Sequence, residues 1–175
     1  MGTRSIIARR TEADAFIGRY CHYDGYPTGT GVGILKAVAQ LGFKKAVSVL
    51  LDEHPAGWSG VAGVDWTKEI GFHEFPYPDD KDVSEYPQCY CHGDRSEEEW
   101  VLDNNNDSGC EYAYVIDEGS EMLTVYERTH GDGSHAVGMF GLPSGGQWAH
   151  LLDVSLNNLQ SAYEQLKSTQ EVAYA

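Results

Sequence analysis

Ser5 to Arg9 is a short apolar run and Ala15 to Tyr23 a second extended one, with polar Thr11-Glu12-Ala13-Asp14 between them. This pattern predicts an N-terminal β-hairpin. Asp24-Gly25 and Pro27 break the second strand. An amphipathic helix follows, with Ile34, Leu35, Val38 and Leu41 at helical spacing and Gly42 placed to cap its end. A second helix is expected from Lys44 to Glu53, its apolar side built from Ala46, Val47, Leu50 and Leu51, and Pro55 and Gly57 terminate it. Across residues 57–110 the periodicity weakens, and only short strands are expected, at Gly71–Phe75 and Gln88–His92. A loop-rich stretch of this length is uncommon inside a compact domain. Glu111–Asp117 and Met122–Arg128 then read as strands of a second hairpin, joined through Glu118-Gly119-Ser120. Trp148–Asp153 reads as a last strand. Ser155 is placed to cap a final helix carrying Leu156, Leu159, Tyr163 and Leu166. Antiparallel hairpins with separate helices imply an α+β fold in one domain spanning 1–175, with helices packed on a mainly antiparallel sheet.

Composition narrows the function classes. The chain has 175 residues, enough for one substantial core. It carries 27 acidic against 12 basic residues, a formal net charge of −15. That excess argues against nucleic-acid binding, because affinity for the phosphate backbone comes from Lys and Arg. It permits solubility, a divalent-cation site, or docking on a basic partner, including mimicry of nucleic acid. No apolar stretch is long enough to predict a transmembrane helix. The start Met1-Gly2-Thr3-Arg4 lacks a signal-peptide layout, and Ile6 stands where myristoylation wants Ser or Thr. A cytoplasmic location is therefore expected, with Cys21, Cys89, Cys91 and Cys110 reduced.

Two segments could carry chemistry. In the first, Arg19 to Gly33, His22 and Asp24 share one face of an extended strand. An imidazole beside a carboxylate is the arrangement of a general base, and equally of a hydrogen-bonded turn. Thr28, Gly29, Thr30 and Gly31 then open a helix whose free N–H groups would attract an anion, with Lys36 one turn further on. Arg19, Tyr23 and Tyr26 complete the candidate ligand-binding set. The glycine spacing matches neither a P-loop nor a dinucleotide fingerprint, and a plain loop-to-helix junction explains it as well. In the second segment, Cys89, Cys91 and His92 are ligand types that zinc prefers, although C-x-C-H is not a usual zinc spacing. No other cofactor is indicated.

Met1-Gly2-Thr3-Arg4-Ser5 followed by Tyr20-Cys21-His22-Tyr23-Asp24-Gly25-Tyr26-Pro27 resembles a family of small proteins encoded mainly by bacteriophages and their bacterial hosts. These proteins begin M-G-T-R and carry a Y-C-H-W-D-G-Y-P-like segment. The likeness covers the first 33 residues, with Tyr23 where the family more often has Trp. It implies a phage or prophage setting and brings no reaction with it. The expectation is a non-catalytic accessory protein in the host cytoplasm that binds a basic host protein or a small phosphorylated ligand. Self-association into a homo-oligomer stays open. The rivals are a hydrolase or transferase using His22 and Asp24, and a virion component.

Overall fold

The computed structural model describes residues 2–13, 15–67, 88–91, 99–129 and 147–173. The N-terminal hairpin is β1 (Ser5–Glu12) against β2 (Ala15–Cys21). One turn of π-helix, Pro27–Gly31, runs into α1 (Val32–Leu41), and α2 (Phe43–Leu51) follows. Gly42 separates the two helices at φ 83°, a conformation that only glycine adopts cheaply, and its N–H bonds Val38 O. Next come β3 (Trp58–Gly60), β4 (Gln88–Cys89), β5 (Leu102–Asp103), β6 (Tyr112–Asp117), β7 (Met122–Thr129), β8 (Gln147–Ser155) and α3 (Leu159–Ala173).

The strands form one sheet in the order β4-β3-β2-β1-β6-β7-β8, with β5 paired to β2. The fold is α+β and the sheet mainly antiparallel, as the sequence pattern implied; β1–β6 and β2–β3 pair in parallel. The β1–β6 pairing explains the unbroken apolar runs Ser5-Ile6-Ile7-Ala8 and Tyr112 to Ile116. A strand covered on both faces has no polar side to alternate. Ile7, Tyr114 and Ile116 join the core beneath the helices, while Ile6, Ala8, Ala113 and Val115 join a smaller core on the opposite face. Burying Ile6 and Ile7 contributes about 2–3 kcal/mol each.

The register runs laterally through the site regions. Tyr112 lies beside Ser5, Ser5 beside Cys21, Cys21 beside Trp58, and Trp58 beside Cys89. Paired positions on neighbouring strands share a face, so this row presents five side chains toward the helices.

A buried ion pair ties down the chain before β6. Arg128 Nη1 donates to Asp107 Oδ1 at 2.7 Å, and both side chains are almost completely buried. Asp107 Oδ1 also accepts the Gly109 N–H, and Arg128 N donates to Glu111 O.

Some local expectations need correction. Ser155 does not cap α3: its Oγ accepts the Asn157 N–H, and Asn158 Oδ1 takes the Ser161 N–H at the helix start. The second helix ends at Leu51, two residues early. The strand expected at Gly71–Phe75 lies outside the described residues.

Asp107→Ala leaves the Arg128 guanidinium buried without this carboxylate. We expect it to lower unfolding free energy by about 3–5 kcal/mol in urea titration. A loss below about 1 kcal/mol would show the pair to be solvent-screened.

Candidate functional site

The first candidate is the corner where β2 meets the π-turn. β2 ends at Cys21, and His22 N and Tyr23 N continue onto Trp58 O and Ser59 O. Asp24 then turns the chain at φ 55°, a conformation that short polar residues tolerate. Its carbonyl accepts from Thr30 N at 2.7 Å and Thr30 Oγ1 at 3.1 Å. Its carboxylate accepts the Tyr26 hydroxyl at 3.1 Å. His22 Nδ1 instead lies 2.6 Å from the Tyr20 hydroxyl, and Tyr20 stacks on Trp100. The two residues proposed as a catalytic pair therefore carry separate hydrogen bonds, and no His22–Asp24 bond is seen among the described residues.

The glycines fill a different role from a phosphate cradle. A Cβ on Gly29 would lie 2.0 Å from Asp24 O, and one on Gly33 would lie 2.4 Å from Val61 O. Glycine is needed because backbone passes against backbone. Gly29 N and Thr30 N are already bonded to the Tyr26 and Asp24 carbonyls. Gly31 is buried against Tyr114 and Leu166, and Lys36 lies exposed on α1. Thr28 is half-buried and Tyr23 half-exposed. Arg19 acts as a tie: its guanidinium donates to Leu51 O and Pro55 O and meets Glu99 at 3.3 Å.

Cys21 sits at the centre of this corner, fully buried, its Sγ 3.7 Å from Thr30 Oγ1. Burial pushes its thiol up to about 11. A thiol held protonated in this way is a poor nucleophile.

The second candidate is the cluster His54, Cys89 and Cys91. Their ligand atoms all lie within 4.8 Å of one another, and all three residues are buried. His54 Nδ1 is 3.1 Å from Cys91 Sγ, and Cys91 Sγ is 3.2 Å from Cys89 Sγ. His54 is held in the turn after α2, where Gly57 N bonds its carbonyl and its ring packs 4.7 Å from Trp58. Trp58 is fixed by its indole N–H on Leu50 O and by pairing with Cys89. The chain bends at Tyr90, whose N–H donates to Gly57 O. That bend turns Cys91 back beside Cys89. One imidazole and two thiols in this arrangement could hold a metal ion.

Of the metal ligands read from the sequence, Cys89 and Cys91 come together and His92 lies outside the described residues. His54 supplies the imidazole. Its signal in the sequence was a lone His just before Pro55, which reads first as a helix terminator. No family model, curated protein or solved structure matches the chain. No helix among the described residues is long and apolar enough to cross a membrane.

The raised Cys21 value has a consequence for stability. The folded chain holds this proton more tightly than the unfolded one, whose value is near 9.0. The contribution is complete below about 9 and is lost as pH rises through about 11. Unfolding free energy should therefore fall across that window, and Cys21→Ala should flatten part of the slope. An unchanged slope in the variant would contradict the buried-thiol assignment.

Proposed function

We propose that the chain is a phage-type accessory protein without catalytic activity of its own. It docks through its acidic exterior on a basic host protein in the host cytoplasm, and carries a zinc ion held by His54, Cys89 and Cys91. One observation carries the docking reading: among the described residues, several of the few cations are already paired with carboxylates. Arg9 bridges Asp52 and Glu118, Arg19 holds Glu99, Lys45 holds Glu53, and Arg128 is buried on Asp107. Arg10 is occupied by Ala13 O and Tyr126. The formal charge over the whole chain is −15, so the net field is negative. Such a field accelerates encounter with a basic surface and repels nucleic acid.

A host protein is favoured over a small phosphorylated ligand because the N–H groups of Gly29 and Thr30 are already bonded to backbone. The enzymatic alternative draws support from the short Tyr20–His22 bond. Against it, Asp24 is turned to Tyr26 and Cys21 is buried. Zinc suits the second site because thiolates and imidazoles are its preferred ligands.

Affinity for the captured host partner should fall by about tenfold or more between ~0.05 and ~0.5 M salt. His22→Ala should change that affinity by less than about twofold, since the ring is half-buried and bonded to Tyr20. Salt-insensitive binding would defeat charge-led docking. A turnover activity abolished by His22→Ala in a folded protein would establish the enzyme instead.

A further inference from the structure

Cys89 and Cys91 are unlike the other two thiols of this chain. Their sulfurs are 3.2 Å apart, already facing each other across the bend at Tyr90. A disulfide requires the pair to close to about 2.05 Å. They keep 7% and 9% exposure, whereas Cys21 and Cys110 have none. Burial also holds the Cys21 and Cys110 thiols protonated, with both values raised. The four cysteines therefore divide into a facing, slightly exposed pair and two sealed singles. None of the four is in a disulfide.

We propose that Cys89 and Cys91 form a reversible modification site, an internal dithiol oxidised by low-molecular-weight disulfides. The Cys91 thiolate attacks one sulfur of the small disulfide, forming a mixed disulfide and releasing one small thiol. The Cys89 thiolate then attacks the Cys91 sulfur and releases the second. The protein loses two electrons and two protons, the small disulfide gains both, and the thiol protons end on the two small-thiol products. This dithiol chemistry stands on the sulfur geometry alone. A second consequence rests on the zinc reading: a disulfide sulfur is no longer a thiolate ligand, so oxidation and zinc binding exclude each other. Oxidation would then release the ion from the β3–β4 edge.

The test treats the full-length, chelator-stripped protein with oxidised glutathione and follows it by intact-mass analysis and peptide mapping. The expected product is two hydrogens lighter, with its bond between Cys89 and Cys91, while Cys21 and Cys110 still react with alkylating reagent after denaturation. Dithiothreitol should restore the starting mass. One equivalent of zinc should slow the oxidation by about tenfold or more, and His54→Ala should keep the disulfide chemistry but lose that protection. Cys89→Ser should stop at a glutathione adduct on Cys91.

Stable glutathione adducts on the unsubstituted protein with no internal bond would overturn the proposal, as would reaction of Cys21 or Cys110 first. Disulfide formation that zinc does not slow would support the dithiol and overturn the zinc reading. Zinc bound at one equivalent, with no disulfide formed in the stripped protein, would leave the zinc reading standing and overturn this one.

Discussion

The parallel pairing of β1 with β6 is the constraint on which the molecule depends. It joins residues more than 100 positions apart, Ser5 with Tyr112 through Arg9 with Ile116, the longest-range strand pairing among the described residues, and so carries a high loop-closure cost. Apolar cover on both faces offsets that cost. Once β1 is fixed, its antiparallel partner β2 is in register, and the lateral row from Tyr112 through Ser5, Cys21 and Trp58 reaches Cys89 at the far side of the sheet. A one-residue slip in any pairing would turn the remaining row to the other face. Both candidate sites thus depend on this pairing.

Polar groups follow the same economy. The strand–turn–helix corner satisfies its donors and acceptors internally: Asp24 O with Thr30, Asp24 carboxylate with Tyr26, Gly25 O with the Tyr114 hydroxyl at 2.6 Å. A buried polar group left unmade costs about 1–3 kcal/mol, so this closure explains why the corner can sit under the helices. It also explains why an unusual sequence does not make an open site. The His54–Cys89–Cys91 cluster differs in kind. Its three ligand atoms lie within 4.8 Å of one another, close enough that they could hold a metal ion.

The hairpins, the first two helices and the final helix were legible because each has its own periodicity. Ile34, Leu35 and Val38 mark α1 without help from the rest of the chain, and all three are buried. The parallel β1–β6 pairing was not legible, since strand pairing over such a separation leaves no local mark. β3 and β5, at three and two residues, are too short to show alternation. The corner misled because glycine signals both anion cradles and close backbone packing, and only Asp24 O and Val61 O against Gly29 and Gly33 distinguish them. Cys89 and Cys91 were visible as a ligand pair, but His54 required the fold: 34 residues separate it from Cys89, a spacing that belongs to no metal motif.

Sheet register places Cys89 beside Trp58, where it, Cys91 and His54 could hold a metal ion. Native mass spectrometry of the intact chain, purified from its own host without chelators, tests it most directly. The expected result is one zinc ion per chain, present in the wild type and absent from Cys91→Ser. A wild-type chain that is metal-free, with all four thiols reduced and its fold intact, would contradict it.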